Sequence, residues 1–448
     1  MCAVFDHVIG IVGSPTTPDV AWSDEQLRAI RDVGVDTLQL SIAWSSKPAN
    51  EVLNLEDLDD PATAAVYKDR VRKAHRHGFS ALGHFGVPHA NPVRPWPHSC
   101  IMEPAVVETY RTRVTNFFAE YDADAAMLYT YDQRAWLCSE FGDCPNCRGV
   151  PLDERLTPFL ESLVDAAQRG KPGARLWWEP WELSEGQIIR VVEKIQPAHF
   201  GVIMHSNIGE VHFSNIVDLP SRTIARIAKN RGIPFVSEGF FGGSGEEVAS
   251  LTHIPCPRLV HQQLDSMRRA YGVTGVKEYY GFVPAEFSVN VELFSSYLRS
   301  PDSTLDALLE HVVEPYGEAA LMRDAWELVS QGLEIFPYNA SWGLRFLVSD
   351  PDTQTWRRLK TIDWETPSWK ASRRAYYMVT SDAEQHPWLL EDVALRAHTA
   401  SDRVEQAVSL LERAERTCRR TDDVRLQKQN LIRFQKASRR LGRSMSEG

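Results

Sequence analysis

The sequence predicts an α/β fold: a (β/α)8 TIM barrel over residues 1–288, followed by a helical region over residues 289–448. Three observations predict it. Strand-like segments alternate with helix-like segments through the first 285 residues, an order that implies a parallel sheet. The units number eight, the count that closes a barrel. The turn after the first strand, Ile11-Val12-Gly13-Ser14-Pro15-Thr16-Thr17-Pro18, holds one glycine, so it lacks the glycine-rich phosphate loop of an open doubly wound sheet.

The elements follow in order. His7–Val12 is a short apolar strand, and Ser23 is placed to cap a helix over Asp24–Asp32. Thr37–Ala43 is the second strand and ends at Trp44. Helix Thr63–His77 leads through Gly78 to the third strand, Ser80–Val87. Helix Val106–Tyr121 precedes the fourth strand, Ala126–Asp132, and a loop with three cysteines leads to helix Leu156–Gln168. The fifth strand is Arg175–Trp178, and Ser184 caps helix Glu185–Ile195 before the sixth strand, Phe200–His205. Helix Ser221–Asn230, strand Pro234–Ser237, helix Gln262–Tyr271 and strand Gly275–Tyr279 complete the series. Beyond it, Leu305–Glu310, Ala319–Gly332 and Lys370–Thr380 have helical spacing. Leu389–Arg419 carries Val393, Ala397, Ala400, Val404, Ala407 and Leu411 along one side, and the charged tail Asp422–Arg443 continues as helix. This region is expected to pack on the barrel or to form a homo-oligomeric contact.

With 448 residues, 43% of them hydrophobic, the chain can bury a large core. A net charge of −11 argues against a nucleic-acid surface. No run approaches the roughly 18 apolar residues of a membrane span. The start, Met1-Cys2-Ala3-Val4-Phe5-Asp6-His7, lacks the basic and apolar regions of a signal peptide. Seven cysteines, an odd number at low density, suit a reducing compartment, and the expected location is cytoplasmic.

In a barrel, the C-terminal ends of the strands carry the site. Read in order, those ends supply Gln39 and Trp44, His84 and His89, Asp132 and Glu140, Glu179 and Glu182, His205 and Asn207, Glu238, and Glu278. Trp136, Trp177, Trp178 and Trp181 fall on the same rim. Sugars present apolar C–H faces and hydroxyl edges, which aromatic plates and carboxylates can hold, and glycosidic cleavage needs two carboxyl groups. Glu140, in the loop after strand four, is the expected general acid, and Glu238, ending strand seven, the expected base or nucleophile. Asp132, Glu179, His205, Asn207, Glu278, Trp44, His84, Trp136 and Trp178 are the expected substrate contacts. Lys277 and Glu278 alternate along strand eight, so only one of them faces inward.

Cys144-Pro145-Asn146-Cys147 has zinc-knuckle spacing, and Cys138 or Cys100 could add a ligand. A second CxxC pair is absent, so free thiols in a packed loop are the favoured reading, and neither metal nor cofactor is expected.

The stretch from Leu128 to Glu182 joins a strand with polar end, a C…C-P-x-C-R loop, a helix, and the strand Ala174-Arg175-Leu176-Trp177-Trp178-Glu179. It resembles alpha-glucuronidases and neighbouring barrel glycosidases, whose loop after strand four carries clustered cysteines near the catalytic acid. The resemblance implies a glycosidase-like site with the acid near Glu140 and a base or nucleophile at Glu238. For a uronate it would ask for a cation, with Arg134, Arg258 and Lys277 as candidates. The expectation is therefore a glycoside hydrolase acting on short saccharides or glycosides. Its alternatives are a non-catalytic carbohydrate-binding barrel and a metal-dependent isomerase or aldolase-type barrel enzyme.

Overall fold

A computed structural model describes residues 4–14, 19–42, 47–89, 99–130, 135–180, 183–206, 216–242, 254–279, 281–282, 289–337 and 388–446. Eight parallel strands close into a barrel in sequence order, β1 (His7–Ile11), β2 (Thr37–Gln39), β3 (Ser80–Gly86), β4 (Ala125–Tyr129), β5 (Arg175–Glu179), β6 (Phe200–His205), β7 (Phe235–Gly239) and β8 (Val273–Glu278). Closure is made by β8 pairing with β1, where His7 lies opposite Gly275 and Ile9 opposite Lys277.

The helices between strands are α1 (Asp24–Val33), α2 (Pro61–Arg76), α3 (Pro104–Tyr121), α4 (Leu152–Gly170), α5 (Glu185–Lys194), α6 (Leu219–Asn230) and α7 (Pro257–Arg269). Their ends obey local chemistry. Ser23 accepts a hydrogen bond from the Gln26 amide at the start of α1, and Gly34 stops it at φ 111°, a left-handed conformation that glycine adopts without strain. Ser184 and Gln187 form a reciprocal capping box on α5. Five of the helices between strands start earlier than the sequence pattern indicates, α4 at Leu152 and four others at Pro61, Pro104, Leu219 and Pro257, where proline within the first turn loses no hydrogen bond.

Strand alternation sorts the apolar side chains into two layers. Ile9, Leu82, Ala125, Met127, Trp177, Ile203 and Val236 fill the barrel interior. Leu38, Ala81, Leu128, Leu176, Trp178, Val202, Phe235 and Val276 face the helices, where the larger core lies.

After the barrel strands, α8 (Val289–Arg299) packs beside α7 and α1 and fills the last place in the helical ring. Then come α9 (Leu305–Val313), α10 (Ala319–Ile335), α11 (Trp388–Ala414) and α12 (Thr421–Ser446). α11 packs against both α10 and α12. The apolar stripe read from sequence is the buried side of α11: Val393, Ala397, Ala400, Val404, Ala407 and Leu411 are all buried within this chain. The expected helix Lys370–Thr380 lies outside the described residues. No helix among those described is long and apolar enough to cross a membrane.

Candidate active site

The interior pattern continues two residues toward the C-terminal ends of the strands and there turns polar. Leu82 points inward on β3, so His84 does too; Trp177 leads to Glu179 on β5, Ile203 to His205 on β6, and Val236 to Glu238 on β7. The strand register sets His205 beside Glu238, and Glu238 beside Lys277.

These groups form one connected cluster. Gln39 Nε2 lies 3.2 Å from His84 Nδ1 and also donates to the Ser41 carbonyl at 2.9 Å. His84 Nε2 donates to Glu179 Oε2 at 2.8 Å. The Lys277 ammonium donates to Glu238 Oε1 at 2.6 Å, and His205 Nε2 lies 3.2 Å from Glu238 Oε2. One side-chain atom each of Glu179, His205 and Glu238 falls within 4.8 Å of the other two. Tyr129 sets its ring edge-on to His84 at 5.1 Å, and Tyr279 does the same to His205 at 4.6 Å. Exposure falls along the cluster, from 19% for the His84 side chain to 8% for Glu179 and none for Glu238.

The two carboxyl groups ionise differently. Burial raises the Glu238 pKa from its ordinary 4.5 to about 7; the Lys277 ammonium opposes that rise and the neighbouring Glu179 charge adds to it. Burial also works against ionisation of Glu179, but His84, by charge and hydrogen bond, and then Lys277 outweigh it and hold its pKa below the usual carboxylate range.

Those of the other expected site residues that are described sit elsewhere. Glu140 occupies a turn and lines a cleft of about 590 Å³ with Leu152, Arg155, Gln187 and Arg190, at the N-terminal ends of α4 and α5. It is not among the groups that converge on Glu238. Glu278 falls on the outer side of β8, since Val276 two residues before it faces the helices. Its carboxylate accepts from the Phe241 and Gly242 amides at 2.5 and 2.9 Å and from the Gly281 amide at 3.2 Å, so it fastens the loop after β7. Trp178 also faces outward, fully buried, and donates from Nε1 to Thr130 Oγ1 at 3.1 Å. Trp136 is half-buried in the loop after β4. Arg258 pairs with Glu327 and Glu334 of α10 and ties α7 to the helical region. Trp44, Asp132, Arg134, Trp181, Glu182 and Asn207 lie outside the described residues. The sequence offers Lys277 as a cation for a uronate; the parity of β8, fixed by Val276, is the signal that turns it inward.

Fold and site together define a (β/α)8 barrel with an unequal carboxylate pair among the inward-facing residues at the C-terminal ends of its strands. No family model matches the chain, and no curated relative matches it by sequence. Solved structures do resemble it. A GH138 enzyme targeting the pectin rhamnogalacturonan II superposes with a TM-score of 0.63 at 11% identity, over 97% of this chain and 58% of that one. This chain thus spans less than two thirds of that neighbour's length. An O-GlcNAc hydrolase mutant of Thermobaculum terrenum matches over 96% of this chain and 95% of its own, at 14% identity and a TM-score of 0.49. Both neighbours are glycoside hydrolases, and at 11% identity the likeness to the first shows the barrel fold alone.

Proposed function

We propose that the chain is a glycoside hydrolase whose acting pair is Glu179 and Glu238. One observation carries this reading: two inward-facing carboxyl groups lie within 4.8 Å of each other, with pKa values displaced in opposite directions. Environments that push two acids apart mark the acid and the base. Glu238, at about 7, holds a proton near neutral pH and serves as general acid toward the leaving oxygen. Glu179 stays ionised and serves as nucleophile at the anomeric carbon. The close approach of the pair suits the roughly 5 Å spacing of retaining enzymes, in which the acid then acts as base on the incoming water. Burial thus gives Glu238 the role that the sequence assigned to Glu140.

A metal-dependent barrel chemistry is disfavoured by Lys277. Its ammonium already supplies the positive charge at Glu238, 2.6 Å from Oε1. Of the cations considered for a uronate, Arg258 is engaged with α10 and Lys277 with Glu238, so the described residues do not favour a uronide over a neutral sugar.

The complete burial of Glu238 supports a second reading, in which Glu238 and Lys277 are a fixed ion pair and the barrel binds sugar without cleaving it. An aryl-glycoside panel that includes uronides separates the two. Turnover by the parent chain, lost about 10²–10⁴-fold or more in Glu238→Gln and Glu179→Gln, fits the hydrolase. Sugar binding with no turnover of any member fits the binding barrel.

A further inference from the structure

Away from the carboxylate pair, four cysteines from distant parts of the sequence meet. Cys100 precedes α3 in the connection after β3; Cys138, Cys144 and Cys147 lie in the connection after β4. All four are buried, and their sulfurs lie within 4.8 Å of one another. Cys100 Sγ lies 3.4 Å from Cys147 Sγ and 3.5 Å from Cys144 Sγ. Those separations exceed the roughly 2.05 Å of a disulfide. They approach the edge of a tetrahedron with metal–sulfur bonds near 2.3 Å, which is about 3.8 Å.

We propose that Cys100, Cys138, Cys144 and Cys147 form a structural Zn2+ site that joins the loops after β3 and β4. The CxxC turn is already shaped as a knuckle, since the amides of Cys147 and Arg148 both donate to the Cys144 carbonyl, at 3.3 and 3.0 Å. A second observation concerns charge. Arg155 is only 2% exposed, and its guanidinium donates to the Cys138 carbonyl at 2.7 Å and the Val150 carbonyl at 2.9 Å, with no carboxylate paired to it among the described residues. A buried cation needs an anionic neighbour. Four thiolates on one Zn2+ carry two net negative charges beside it. The two loops also meet through a His89–Ala135 bridge and through the Asn146 side chain on Glu103, so the cluster stands at an existing seam. Zinc, which has no redox chemistry, fits a site whose visible task is to fasten that seam. The sequence lacked a second CxxC because two ligands come singly, from Cys100 and Cys138. Binding displaces the thiol protons to solvent.

The test uses the full chain purified under reductant. Expected are about one zinc per chain by elemental analysis, and X-ray absorption showing four sulfur neighbours near 2.3 Å. Co2+ added alone to the chelated, reduced chain should give the visible bands of a tetrahedral thiolate site. Cys144→Ser and Cys147→Ser should lose the metal, whereas Cys256→Ser, at a cysteine held by Asn290 elsewhere in the fold, should keep it. If the serine variants fail to fold, the absorption and Co2+ measurements on the parent chain still decide. Failure to bind either metal, a mixed nitrogen or oxygen ligand set, iron in place of zinc, or disulfides among these four cysteines in the native chain would each overturn the proposal.

Discussion

Lys277 holds its ammonium 2.6 Å from the Glu238 carboxylate, with 2% of the lysine side chain exposed and none of the glutamate. Both are delivered by strand register, since Glu238 of β7 lies opposite Lys277 of β8. Burial and ion pairing therefore pull the Glu238 proton in opposite directions, and burial is the larger influence.

Stability should record that imbalance. The Glu238 pKa is raised on folding, so its contribution is fully present below about 4.5 and is lost as pH rises through about 7. At about 1.4 kcal/mol per pH unit, the rise from 4.5 to about 7 corresponds to roughly 3–4 kcal/mol. Urea unfolding of the parent and of Glu238→Gln between pH 4.5 and 8 should show the parent losing stability relative to the variant as pH rises. A constant difference across that range would mean that Glu238 ionises in the folded chain as it does in the unfolded one.

Gly201 should be intolerant of any side chain. It lies opposite Trp177 in the β5–β6 register, and a Cβ there would overlap the Trp177 indole. That indole fills the barrel interior beneath Glu179 and meets the His7 ring edge-on at 5.1 Å. Overpacking of this kind costs roughly 1–3 kcal/mol. Gly201→Ala should therefore lower the urea midpoint without changing the slope of the transition. An unchanged midpoint would show that the indole has room to move.

The eight-unit order was legible because each unit repeats the same change of hydrophobic period, and one misplaced boundary leaves the count intact. His84, Glu179, His205 and Glu238 were legible for the same reason, as polar residues ending apolar strands. Lys277 and Glu278 were not, because one residue of strand phase decides which faces inward and both are polar. Glu140 belongs to a loop, and periodicity does not reveal the path of a loop. The cysteine tetrad was half visible: the CxxC spacing is local, whereas the approach of Cys100 depends on two barrel loops meeting.

The helical region should be inseparable from the barrel. α11 covers α10, with Ala400 and Val404 lying against Gly332, while Arg258 of α7 is paired with Glu327 and Glu334 of α10. Helices draw most of their stability from such packing. A chain ending at Asp382 should aggregate or melt well below the parent, and Val404→Asp should reproduce much of the loss by burying an unpaired charge. A truncated chain that stayed soluble with unchanged melting would refute this.

The pH dependence of turnover should identify which group carries the proton. If Glu238 is the general acid, activity on an aryl glycoside that the parent cleaves should fall as pH rises through about 7, where that carboxyl loses its proton. Lys277 lowers the Glu238 pKa, so Lys277→Met should move the alkaline limb to higher pH, whereas Lys277→Arg, which keeps the charge, should move it less. Lys277 also helps to keep Glu179 ionised, so the acid limb of Lys277→Met should rise as well. Substrates with good leaving groups need no proton and should restore part of the activity lost in Glu238→Ala. They should restore none in Glu179→Ala, where the nucleophile itself is gone; added azide should rescue that variant by taking its place. Infrared titration of the buried carboxyl in parent and Lys277→Met reads the same shift without substrate. An alkaline limb that stays fixed, or moves to lower pH, in Lys277→Met would remove Glu238 from the acid's role and leave the Lys277–Glu238 pair as a structural contact.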